Sequence, residues 1–145
     1  MKIIRDKKRS FDLDAFLHKP LFAHLSTVAD DAPRDSPVWF LWEESELWII
    51  GTSADSFPKR ITENPKCAIG IVDFNHKEGK VLHVGFRGQA AVEPFNVTIA
   101  KRLLTRYLGA NENQWDPRFK HLDDTNVLIR FIPDTVVVRD QSYII

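Results

Sequence analysis

The sequence predicts a mainly β fold: an antiparallel barrel, closed or partly closed, with short helices capping it. Three observations carry this expectation. Six segments, residues 21–28, 37–42, 47–50, 66–74, 81–93 and 127–139, are rich in β-branched and aromatic residues and are bounded by turn-forming clusters. The fifth contains Gly85 and Gly88, and the sixth is interrupted at Pro133-Asp134, the kind of bend that lets a strand turn a barrel corner. Helices are inserted between these segments, an order that a sandwich would also allow, but the kinked last strand and the glycine-bearing fifth favour the barrel.

The first helix begins at Ser10 or Asp12 as cap, places Leu13, Phe16 and Leu17 on one face, and stops at Lys19-Pro20. The strand over 21–28 follows and ends in the turn-rich cluster 29–33; His24 lies on it as a buried, hydrogen-bonded strand histidine. Between 37 and 42 both alternating sets, Val38/Phe40/Trp42 and Pro37/Trp39/Leu41, are apolar, so this strand is expected to be covered on both faces, one of them by a partner subunit. The polar EESE joins it to the strand at 47–50. Ser53, Asp55 and Ser56 then offer N-caps, Pro58 suits a first helical turn, and Asn64-Pro65 ends the helix. Free N–H groups at such a helix start, beside Lys59 and Arg60, attract an anion; the same residues also describe an ordinary capped connector with a solvated basic pair.

Residues 66–74 read as a strand buried on both faces, with Cys67 pointing inward as a small hydrophobe. In 81–93, Leu82, Val84, Phe86, Ala90 and Val92 share one face, while His83, Arg87 and Gln89 share the other, which is either the wet side of an outer strand or the wall of a site. Pro94 opens a helix to about Leu108, stopped by Gly109, with Lys101, Arg102 and Arg106 as its solvated face. Trp115, Phe119 and Leu122 are spaced to seat a second short helix.

At 145 residues the chain fits a single domain, 1–145, of a size that buries roughly 68–70% of the surface its unfolded form exposes. Twenty basic and twenty acidic residues cancel, which removes the electrostatic argument for nucleic acid and favours a small-molecule or protein partner. The basic lead MKIIRDKKRS has no apolar core behind it and no run approaches a membrane span, so a cytoplasmic protein with no membrane partner is expected. One cysteine and five scattered histidines imply neither a disulfide nor a metal site. No P-loop, G-x-G-x-x-G, H-E-x-x-H or G-x-S-x-G pattern occurs, so chemistry here would be carried by a cofactor.

The order of elements together with SPVWFLW, LWIIGT, the short helix closing on NP, KCAIGIVDF and HVGFRGQAAVEP resembles the pyridoxamine 5'-phosphate oxidase-like, FMN-binding split β-barrel proteins, over residues 11–139. The resemblance implies a six-stranded antiparallel split β-barrel that forms a homodimer and holds FMN in clefts between subunits, against the second and fifth strands. It places Ser36, Pro37, Val38 and Trp39 along the flavin ring, Gly51, Thr52 and Ser53 at the end of the third strand near the flavin, and His83 where many members carry glutamine. One departure bears on the phosphate. The Arg-Lys pair of many members aligns with Ser56 and Phe57, and losing a cation there removes a contact of roughly 1.5–3 kcal/mol. Lys59, Arg60 or Arg34, with the Ser53 and Ser56 hydroxyls, are the available substitutes. The ending SYII lacks the arginine-bearing segment of true pyridoxamine phosphate oxidases, so vitamin-B6 oxidation is not expected.

The resulting expectation is an FMN-dependent oxidoreductase acting on an unidentified small molecule, with His83 or Arg87 donating hydrogen bonds to the ring and deazaflavin as the alternative cofactor. Two others stay open: a non-catalytic module binding flavin, deazaflavin or haem in the same cleft, and an empty scaffold.

Overall fold

The structure, a computed structural model, describes residues 1–6 and 10–145; Lys7, Lys8 and Arg9 of the basic lead lie outside the described residues. In chain order the elements are β1 (Lys2–Arg5), α1 (Leu13–Leu17), β2 (Ala23–Ala29), β3 (Ala32–Val38), β4 (Leu41–Glu43) and β5 (Glu46–Gly51). Then come α2 (Phe57–Glu63), β6 (Lys66–Asn75), β7 (Lys80–Pro94), α3 (Val97–Leu108), 3-10 turns at Glu112–Gln114 and Pro117–Phe119, and β8 (Val127–Asp140). The fold is a split β-barrel, with eight strands where six were expected.

The two extra strands have separate causes. β1 adds in parallel to β8, pairing Lys2 with Thr135 and Ile3 with Val136. The expected second strand starts earlier, at Ala32, because the preceding turn needs only Asp30 and Asp31, both at positive φ (52° and 59°), the two-residue hairpin that matches strand twist. That strand then breaks at Trp39-Phe40, where the Phe40 amide leaves the ladder and donates to the Tyr107 hydroxyl (3.1 Å). The EESE turn is equally tight, with Glu44 and Ser45 at φ 51° and 62°.

Hydrogen-bonded order across the sheet is β3-β2-β6-β7-β8-β5-β4. The two edge strands are consecutive in the chain, so the peptide through Trp39 and Phe40 closes the ring where hydrogen bonds do not. Inside, Phe16, Leu25, Phe40, Leu47, Ile69, Phe86 and Phe131 are all at most 1% exposed and form one core. Leu41 points the opposite way and packs with Leu103, Leu104 and Trp115 in a second cluster that includes Trp39. Both faces around residues 39–42 are therefore covered, the outer one by α3 of the same chain.

Several expectations are corrected. Pro94 still belongs to β7, and α3 starts at Val97 because the Asn96 carboxamide accepts from the Thr98 and Ile99 amides (2.9 and 3.2 Å). The second short helix is two 3-10 turns. Arg106 is not part of a solvated face: it donates to the Leu17 and Lys19 carbonyls (3.0 and 2.8 Å) and lies over the Phe40 ring (4.9 Å). Lys101 and Arg102 stay outside, paired with Glu112 and Glu43. His24 is exposed rather than buried, on the outer face of β2, 3.2 Å from Asp35. Cys67 is inward as expected, and burial pushes its thiol up to about 11.

The β7–β8 ladder slips between Arg87 and Gly88, because Gly88 pairs with Pro133 and Arg87 with Thr135, leaving Asp134 as a bulge. A Cβ at Gly88 would lie 2.2 Å from the Ile132 carbonyl oxygen, whereas one at Gly70 meets nothing within 4 Å. Gly88→Ala is therefore expected to cost about 1–3 kcal/mol in urea unfolding, by forcing the bulge apart. The rim of the core holds an ionic triad, Asp73 with Lys19 (2.9 Å) and Lys80 (3.2 Å). Burial pushes the Asp73 carboxyl up, but the hydrogen bonds and charges of Lys19 and Lys80 outweigh this and hold it below its ordinary value. A carboxyl lowered in the folded state stabilises above the ordinary aspartate range and loses that contribution as pH falls through the folded value. The urea midpoint of the wild type is expected to fall between about pH 4 and pH 2 more steeply than that of Asp73→Asn.

Candidate functional site

The site is built where the ring of strands is closed by chain continuity alone. As β3 leaves its ladder, Trp39 turns outward and stacks on Tyr107 of α3 (centroids 4.6 Å apart, planes 4° apart) and on Phe119 (5.5 Å). The Tyr107 hydroxyl donates to the Leu21 carbonyl (2.7 Å) while accepting from the Phe40 amide, which pins α3 to both sides of the break. The space left between the end of β3 and the helical segment is a cavity of about 510 Å³. Asp35 to Trp39 form one wall; Ile50, Thr52, Asp55 and Phe57 form the floor. Leu103 and Leu104 of α3 form the far wall together with Arg118, Phe119 and Leu122.

This cavity gathers Ser36, Pro37, Val38, Trp39 and Thr52 of the predicted positions. Gly51 sits just behind, where an added Cβ would press to within 2.9 Å of the Pro58 ring. Ser53 is exposed on the adjoining turn. Ser56 is the backbone cap of α2, but its hydroxyl caps nothing; it accepts from Arg60 Nη1 (2.7 Å). Arg60 Nε donates to the hydroxyl of Thr27, which is fully buried (2.7 Å), so this guanidinium closes one end of the barrel. Lys59 is exposed on α2, outside the cavity lining. Arg34 is exposed on β3 and donates to its own neighbour's carbonyl, Pro33 (3.3 Å).

His83 and Arg87 lie elsewhere. Both project from the outer face of β7, where His83 stands between Val72 and Arg139 of the adjacent strands, and Arg87 between Ala68 and Thr135. Burial, followed by the charge of Arg139, holds the His83 pKa below the ordinary histidine value. Arg87 lines a separate groove with Ser26, Lys66 and Asp134. Within one chain these two residues do not share the Trp39 cavity.

Three charged residues of the cavity were not among the predicted site positions: Asp35, Asp55, which read only as a cap, and Arg118. Asp35 follows from the register, since its pairing with Ser26 turns it outward beside His24. Asp55 Oδ2 accepts from both the backbone amide (2.8 Å) and the hydroxyl (2.9 Å) of Thr52. Arg118 is three-quarters exposed, 3.7 Å from Asp116, with its guanidinium over the Phe119 ring.

The walls suit a flat conjugated ring: they are aromatic and aliphatic, and the volume lies in the ordinary range for small-molecule sites. The polar end suits a phosphate poorly. The donors of Thr52 are occupied by a carboxylate, Phe57 is apolar and 4% exposed, Arg60 is engaged with Thr27 and Ser56, and two carboxylates face one exposed guanidinium. Among the described residues no group of three or more His, Cys, Asp or Glu side chains gathers as a metal site, and no helix is long and apolar enough to cross a membrane.

Solved structures of similar fold include proteins named for F420 and for FAD. A conserved hypothetical protein from Mycobacterium tuberculosis aligns with a TM-score of 0.74 at 15% identity, covering 92% of this chain and 89% of that one. An F420 reductase aligns with a TM-score of 0.67 at 25% identity, over 88% of this chain and 98% of its own. A FAD-binding protein from Mesorhizobium loti aligns with a TM-score of 0.67 at 15% identity, over 92% and 98%. No curated protein sequence matches the chain. The family model for pyridoxamine 5'-phosphate oxidase matches residues 12–137, nearly the whole barrel and both walls of the cavity, and the chain belongs to that family.

Proposed function

We propose that the Trp39 cavity holds the ring of a flavin, FMN or a deazaflavin relative, and that the protein is a flavin-dependent oxidoreductase acting on a small molecule as a homodimer. The observation that carries this reading is the convergence of Ser36–Trp39 and Thr52 on one ring-sized, aromatic-walled cavity. A bound flavin supplies the hydride chemistry that no side chain here provides. The chain's own part is to hold and orient. Trp39 is braced on both sides by Tyr107 and Phe119, so it offers a rigid edge to the ring, and Leu103, Leu104 and Leu122 keep water from the far side. Ser36 supplies a hydroxyl at the polar edge.

The dimer is supported by the outer face of β2, β6 and β7. His24, Gly70 and Gly85 are paired across this face, with Gly70 opening onto empty space, and Val28, Val72 and Phe74 are exposed around them. A flat apolar area of this kind is what a second copy would cover. His83 and Arg87 stand on the same face, so a dimer built on it would bring them to the seam between copies.

Purified protein is expected to carry or take up a yellow chromophore whose visible band bleaches on adding reduced nicotinamide cofactor. A colourless protein that takes up no flavin rejects the reading. Trp39→Ala is expected to weaken flavin binding about tenfold in fluorescence titration, the loss of one stacking edge. Light scattering is expected to give twice the chain mass, and a single-chain mass would remove the dimer.

A further inference from the structure

We propose that Asp55 is a specificity-determining residue of this cavity and selects a flavin with an uncharged polyol tail over its phosphorylated form. The inference rests on the reading that the cavity takes a flavin ring. Thr52 follows the last residue of β5 and is exposed on the cavity floor, where its amide and hydroxyl would be the natural donors for a ligand's tail. Both donate instead to one oxygen of Asp55, at 2.8 and 2.9 Å. A phosphate arriving there would have to break two charge-assisted hydrogen bonds and then stand beside the displaced carboxylate.

The rest of the charge in the cavity points the same way. Asp35 adds a second carboxylate on the β3 wall, and its neighbour His24, 3.2 Å away, is itself more than half exposed. Within the chain's own lining Arg118 is the opposing cation, but it is three-quarters exposed and lies 3.7 Å from Asp116. Ionised carboxylates only accept hydrogen bonds. Sugar hydroxyls donate, so a polyol tail satisfies Asp55 and Asp35 while leaving the Thr52 contacts intact; phosphate oxygens can only repel them.

The test is titration of the full-length protein with riboflavin and with FMN, read by tryptophan fluorescence. Riboflavin is expected to bind about tenfold more tightly than FMN, the scale of one unscreened like-charge contact at the protein surface. Asp55→Asn keeps an oxygen for Thr52 and removes the charge; FMN is expected to tighten about tenfold while riboflavin stays within about threefold. FMN binding more tightly than riboflavin in the wild type, or an unchanged ratio in Asp55→Asn, overturns the proposal while leaving the flavin cavity standing. Binding of neither ligand overturns the flavin reading and the proposal with it. Should Asp55→Asn not fold, ionic strength decides on the unmodified protein: screening of repulsion tightens FMN as salt rises, and weakening overturns the proposal.

Discussion

The Tyr107 hydroxyl joins the parts of this molecule that the sheet does not. A barrel whose two edge strands are consecutive in sequence must break its own ladder where the chain passes from one edge to the other, and backbone groups freed there must find partners. The Phe40 amide finds the Tyr107 oxygen, and the same oxygen donates to Leu21 at the entry to β2. One phenol from α3 thus fixes both sides of the split, and its ring, stacked on Trp39, fixes the direction in which the wall of the cavity faces. Arg106, next in the helix, reinforces the contact by donating to the Leu17 and Lys19 carbonyls and covering the Phe40 ring.

The cavity is a consequence of this arrangement. Had residues 37–42 run as one uninterrupted strand, α3 would pack flat on the sheet, as Leu41 and Leu103 do in the second cluster. Because Trp39 is turned out and braced, helix and sheet are held apart and the space between them is lined by side chains with little freedom to collapse. An apolar slot of this sort favours flat ligands, since a rigid aromatic wall loses little entropy when a ring lies against it. Its polar end is poor in free donors: the chain places Phe57 in the core and folds Asp55 back on Thr52. The two basic residues that follow are directed elsewhere: Arg60 to a buried threonine hydroxyl and Lys59 to solvent.

Much of this was legible in the sequence, for local reasons. The strand at 66–74, the alternation from Leu82 to Val92, the bend at Pro133-Asp134, the cap residues of α1 and the stop at Gly109 are all read from periods of two or 3.6 and from residues with special backbone chemistry, which act within a few positions along the chain. The family was legible too, from the joint order of its motifs, and of the positions that resemblance marks, Ser36 to Trp39 and Thr52 line one cavity. The break at Trp39-Phe40, the inward Arg106 and the engagement of Arg60 by Thr27 depend on partners 67, 89 and 33 residues away. No window along the sequence contains both members of such a pair. The same holds for the charge of the cavity: Asp55 looked like an ordinary cap, and only its hydrogen bonds to Thr52 turn a presumed anion seat into a carboxylate-filled one. Pattern and composition therefore determined the class of fold, because burial imposes periodicity. What occupies the donors at the polar end of the cavity was decided in three dimensions, because hydrogen bonds are satisfied by whichever partner folding brings within about 3 Å.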